Sequence, residues 1–175
     1  ATLEANRLVL DDLMMGILVG SYVTMDAADV VSRNIGVAAL DAMNANVTAS
    51  RWFSQVPDDS YTSLYFSDSS VMLSDVDTTG GMLGMGFSGS SSVEMNRVAV
   101  HGNTGTGLDF IGPDLSATLN DVLIEDTELF PLVMKHAEVE ANRIRIQNSQ
   151  TLGASAYAST VDIEDLTIHG LESLG

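Results

Sequence analysis

Cysteine is absent from all 175 residues, which excludes disulfides and thiolate metal sites and leaves the redox compartment open. Lysine occurs once, at Lys135; the other basic residues are arginines, and 7 basic against 24 acidic residues give a net charge of −17. No basic stripe exists to displace counterions from a phosphate backbone, so nucleic-acid binding is not expected. The same deficit disfavours an anionic membrane surface. No apolar run approaches the ~18 residues of a membrane-spanning helix, so membrane insertion is not expected either. No basic segment followed by an apolar stretch marks a signal peptide, so an export signal would have to lie outside these residues. What remains is a chain that is 45% hydrophobic, long enough to bury a core as a single domain over residues 1–175. Its acidic exterior suits a secreted or salt-exposed protein, kept soluble by self-repulsion.

One decapeptide recurs. LEANRLVLDD starts at Leu3, VEMNRVAVHG at Val93 and VEANRIRIQN at Val139. Taking the first apolar residue of each such stretch as an anchor gives Leu3, Val23, Val47, Val71, Val93, Ala117, Val139 and Val161. The chain therefore reads as eight units of 20–24 residues, and repeats at a fixed period are the signature of a solenoid. Each unit opens with an apolar pair two residues apart, such as Val93/Met95, followed by a short polar residue such as Asn96. A second alternating pair follows, such as Val98/Val100, or Trp52/Ser54 in the third unit. A variable loop comes next, often a glycine (Gly16, Gly36, Gly84, Gly107, Gly153), and then a third pair such as Val37/Ala39 or Leu108/Phe110.

Period-two alternation in short runs predicts strands with one face buried. Three strands of three to five residues per unit, with no room for a helix, predict an all-β fold: a parallel β-helix of about eight coils. The short polar residue is expected at the first bend and the glycine at a second corner, where a positive φ costs little. At ~4.8 Å per coil, eight coils make a rod roughly 38 Å long, and strand twist predicts right-handed coiling. The grammar resembles the right-handed parallel β-helix repeat superfamily, the pectate-lyase-like fold, over nearly the whole chain. That resemblance implies a fold used by lyases, hydrolases, epimerases, tailspikes and adhesins, and no one activity.

The resemblance directs attention to the motifs of polygalacturonases. Asp58-Asp59, His101-Gly102 and Arg143-Ile144-Arg145 occur in the order that family uses, but the Asn-Thr-Asp element is missing. A glycosidase needs two carboxylates roughly 5 to 10 Å apart across one bond, and these three pieces fall on different corners of different coils. A calcium-dependent lyase needs several oxygens converging on one point; acids such as Asp75 and Asp77 do not cluster in this way. His101 and His169 occupy equivalent places three coils apart, roughly 14 Å, too far to share a metal, and all three histidines are expected in surface loops. The column one past the anchor, read as Glu4, Thr24, Thr48, Met72, Glu94, Thr118, Glu140 and Asp162, is too charged for an ice-binding ladder. No cofactor or metal site is expected.

The informative irregularity is the third unit. Its loop, Phe53 to Ser63, carries Pro57, the pair Asp58 and Asp59, and Tyr61, and insertions in solenoids often bear the binding surface. Aromatic groups beside carboxylates suit sugar stacking and hydroxyl hydrogen bonds. Asp58, Asp59 and Tyr61 are thus the candidate ligand-binding residues, projecting outward, with Trp52 inward beneath. A second pattern lies four past each anchor: Arg7, Ala27, Arg51, Asp75, Arg97, Asp121, Arg143 and Asp165 alternate in sign from Arg51 onward. Stacked one strand apart, such charges attract in register and repel when slipped by one coil. The functional expectation is a non-catalytic extracellular or cell-surface module, a rigid structural piece or a binder of polysaccharide or another protein. The alternative is a carbohydrate-active lyase or glycoside hydrolase on acidic polysaccharide. Open coils at either end expose core and strand edge, so a continuing chain, flanking domains or end-to-end stacking are expected.

Overall fold

The computed structural model describes residues 1–150 and 153–170. It is an all-β parallel solenoid of about eight turns, with no helix among the described residues. Every strand pairing is parallel. The cross-section has three faces, each a parallel sheet running the length of the rod. Residues 92–96 lie on the first face, 98–101 on the second and 106–111 on the third, and the other coils repeat this order. Six of the fifteen strands among the described residues keep to the three to five residues expected; the nine in the middle of the chain are longer. Ser92–His101 covers two faces as one strand, and Thr106–Glu125 and Phe130–Gln147 run around two corners without a break in pairing long enough to end them.

The register on the first face is Leu3, Met25, Val47, Val71, Val93, Ala117, Val139, Val161. Seven of the eight sequence anchors hold. The second does not: Met25, not Val23, stacks on Leu3, so the 20- and 24-residue steps become 22 and 22. The physical reason is that Val23, Met25 and Ala27 all point to one side of the strand. A two-residue slip preserves alternation, and the pattern alone cannot detect it. The third strand of that coil shifts by three residues, with Leu40/Ala42 rather than Val37/Ala39 aligned to Ile17/Val19; Ala38, Ala39 and Leu40 are all buried, so burial does not alternate there.

The register is decided at the corners. At the first bend the left-handed residue is not the short polar one but its successor. Arg7, Asp29, Arg51, Asp75, Arg97, Asp121 and Arg143 have φ between 50° and 62°. Each is skipped in the ladder while the polar residue before it stays paired, as in Asn96↔Asn120↔Asn142. The second corner has its own left-handed column: Asp12, Asn34, Gly80, Gly102, Asp126, Asn148 and Gly170. Gly84 and Gly107, expected to supply a positive φ, do not adopt one. They are required for space: a Cβ on Gly107 would stand 2.6 Å from the Pro131 carbonyl, and one on Gly84 2.4 Å from Val100 Cγ1. At the third corner, inward serines of one coil accept backbone N–H bonds from the preceding coil, Ala45 to Ser69 Oγ (3.1 Å) and Ser69 to Ser91 Oγ (3.1 Å).

The core fills the triangle between the faces. On the first face Met25 lies in the anchor column and Leu73, Met95 and Leu119 stack in the column two residues on, all buried. Phe66, Phe87 and Phe110 stack on the third, with centroids 5.2 and 5.0 Å apart and planes within 9° of parallel. Trp52 is buried as expected, and its indole N–H donates to Ser32 Oγ at 3.1 Å.

Candidate functional site

The coil-three loop is shorter than the sequence suggests. Asn46–Gln55 extends its strand to Gln55 and Thr62–Ser67 begins the next, leaving residues 56–61 between them. The Ser60 N–H closes a turn onto the Pro57 carbonyl (3.0 Å), and its buried hydroxyl donates to the Ile35 carbonyl (2.8 Å), which ties the loop to the coil before it. Gly80 lies beneath: a Cβ there would be 2.0 Å from the Val56 carbonyl. So anchored, the loop leaves Asp58, Asp59 and Tyr61 exposed, with Trp52 inward. The Asp58 carbonyl accepts from Thr104 Oγ1 at 3.3 Å.

Tyr61 continues onto the third face. Its ring lies 6.4 Å from that of Tyr65, tilted by 58°. Tyr65 stacks in register on Gly86, and Gly86 on Asp109. The Tyr65 ring lies against the glycine, for a Cβ at Gly86 would come within 2.7 Å of ring carbon Cδ2, and its hydroxyl shares a 3.0 Å hydrogen bond with Ser88 Oγ. Asp109 is half-buried, one of its carboxyl oxygens is buried without a hydrogen-bond partner, and burial pushes its pKa up to about 6 against the pull of Lys135. Burial also raises Asp41, on the other side of Tyr65. The exposed side chains of Leu18, Met43, Tyr61, Met82, Phe130 and Tyr157 make this side of the rod the apolar one. On the first face, Met72 is the one outward-pointing, exposed large hydrophobic residue among those described.

The second face carries a polar row. His101 Nδ1 lies 3.2 Å from Glu125 Oε2, and Nε2 lies 3.5 Å from Asp77 Oδ1. Gln147 Nε2 donates to Glu125 Oε1 at 2.7 Å. His101 therefore sits at a strand end between two carboxylates, not in a loop as expected. The imidazole occupies the space between Asp77 and Glu125 where a glycosidic oxygen would have to enter for the two acids to act on one bond. The structure does not bring Asp58-Asp59, His101 and Arg143 together: they remain on the second-corner loop, the second face and the first bend.

At the first bend the charged column is more complete than the sequence reading. With Met25 as anchor its second member is Asp29, not Ala27, so the sign alternates over all eight coils: Arg7, Asp29, Arg51, Asp75, Arg97, Asp121, Arg143, Asp165. Arg51 binds Asp29 through Nε (2.6 Å) and NH2 (3.0 Å), and Arg97 binds Asp75 through the same atoms (2.6 and 2.8 Å). Arg143 holds Asp121 in the same two-pronged way. In each pair the arginine reaches back to the preceding coil. Hydrogen bonds from the guanidinium hold Asp29, Asp75 and Asp121 below the usual carboxylate range. These pairs also fix residues held in the left-handed conformation, which arginine seldom adopts.

Among the described residues, no group of three or more potential ligands is placed to hold a metal ion. Tyr65 is expected from the sequence as an aromatic flank of the coil-three loop, whereas Asp41 and Asp109, which share its column, are not. Their shared column was available from the repeat, but the burial that perturbs Asp109 was not. No family model and no curated protein matches the chain.

Proposed function

We propose that this chain is a non-catalytic module of extracellular or cell-surface type, a stiff β-solenoid that holds a binding surface for a polysaccharide or another protein. The observation that carries the reading is the charged column at the first bend. Three arginines are consumed by aspartates of their own chain, so the most strongly charged edge of the rod serves to lock register rather than to receive a ligand. Binding then falls to the coil-three loop and the neighbouring third face, where Asp58 and Asp59 are exposed and Tyr61 lies beside Tyr65. The net charge of −17 supports an exterior exposed to salt and disfavours an acidic polymer as ligand. Arg7 and Asp165 make no close salt bridge among the described residues, although each attracts its column neighbour, Asp29 and Arg143, and they are opposite in sign. A coil stacked on either edge, from a flanking segment or a second molecule, would meet the charge it needs.

The rival reading is a lyase or hydrolase of the pectate-lyase-like kind acting on acidic polysaccharide. It draws on the Asp77–His101–Glu125 row. Incubation with polygalacturonate and alginate, with and without calcium, decides between them: the module reading expects no new reducing ends or unsaturated products, and turnover abolished by His101→Ala would replace it.

A further inference from the structure

The chain contains nine asparagines, and the structure gives eight of them an architectural place. Asn34, Asn44 and Asn148 are left-handed corner residues. Asn6, Asn96, Asn120 and Asn142 share the column that precedes the first bend. Asn103 is buried and donates to the Gly80 carbonyl at 2.5 Å. Asn46 is the exception. It opens the strand Asn46–Gln55 on the first face, its φ is not left-handed, and its exposed amide makes no side-chain hydrogen bond among the described residues. It is also the one asparagine in an Asn-x-Ser/Thr triplet, Asn46-Val47-Thr48.

We propose that Asn46 is an acceptor for N-linked glycan. This rests on the extracellular reading above. The transfer joins Asn46 Nδ2 to the anomeric carbon of a lipid-pyrophosphate-linked oligosaccharide. The lipid pyrophosphate leaves, and the amide gives up one proton. The fold accommodates the product. Val47 points inward while Asn46 and Thr48 both point to solvent, as strand alternation requires. The column neighbours of Asn46 are Thr24 and Ser70, both small, so the first sugar ring meets no bulky side chain across the strands. Met72 pairs with Thr48 and is therefore diagonal to Asn46, about 7–8 Å away between Cα atoms, within reach of the glycan stem. The glycan would cover the exposed hydrophobic side chain of the first face and leave the apolar third face open for a partner.

The test is to express residues 1–175 behind a heterologous secretion leader in a human cell line and to measure intact mass before and after peptide-N-glycosidase digestion. The expected result is a mass gain of one oligosaccharide, removed by the enzyme with conversion of Asn46 to aspartate. The gain should be lost in Asn46→Gln and Thr48→Ala and kept in Thr48→Ser. Wild-type chain recovered from the secretory lumen or medium without glycan would overturn the proposal. A cytosolic location of the native protein would instead overturn the extracellular reading while leaving the acceptor result standing.

Discussion

Asp109→Asn should make the protein less sensitive to pH. In the folded protein burial pushes the Asp109 carboxyl from 3.8 to about 6, so folding takes up a proton between these values. The contribution of this group to stability is therefore best at low pH, declines as pH rises through the window from about 4 to 6, and is at its worst above 6. A rise from 3.8 to about 6 corresponds to at most about 3 kcal/mol at ~1.4 kcal/mol per pH unit. Because the carboxyl is only half-buried and solvent screens it, about 1–2 kcal/mol is the appropriate expectation. Asparagine keeps the shape and removes the ionisation. The variant should match wild type near pH 4 and exceed it at pH 7 by about 1–2 kcal/mol, a rise of roughly 2–8 °C in Tm for a chain of this size. Differential scanning calorimetry of both proteins at half-unit steps from pH 4 to 8 measures it. The other acids titrate equally in both, so the difference curve isolates Asp109. A difference curve flat across pH 4 to 7 would refute the burial argument.

Phe87→Ala opens both ring stacks at once and should cost about 3–5 kcal/mol, or roughly 6–20 °C in Tm, whereas Met72→Ala on the exposed first face should cost almost nothing. Asp121→Arg removes the two-pronged contact with Arg143 and puts an arginine between Arg97 and Arg143, making three in consecutive coils. Its Tm loss should be larger at 20 mM than at 500 mM NaCl, and equal losses would show that the column does not act through charge. Replacing Asp58, Asp59 and Tyr61 together by alanine should leave Tm within a degree or two while lowering any signal on a glycan or matrix-protein array. An unchanged array signal removes the loop from the binding surface.

The repeat, the strand faces and most of the register are legible in the amino acids alone, because period-two alternation over 22 or 24 residues leaves only one side of each strand apolar. Trp52, Phe66, Phe87 and Phe110 were legible as core for that reason. Alternation is blind to a slip of two, and so Val23 stood where Met25 belongs and Ala27 hid Asp29. Only the stacked first bend resolves this: Arg7, Asp29 and Arg51 share the left-handed conformation there, and Ala27 does not. The same limit applies to the glycines. Composition suggests positive φ for Gly84 and Gly107, but their need is for room against a neighbouring coil, a property of two segments more than twenty residues apart. For the candidate site, the coil-three loop was visible as an insertion and its exposed residues followed from their polarity. The raised pKa of Asp109, its place beyond Gly86 from the Tyr65 ring, and the bridging of Asp77 and Glu125 by His101 were not. Each depends on which side chains of different coils are brought within a few ångströms, and that is decided by tertiary stacking.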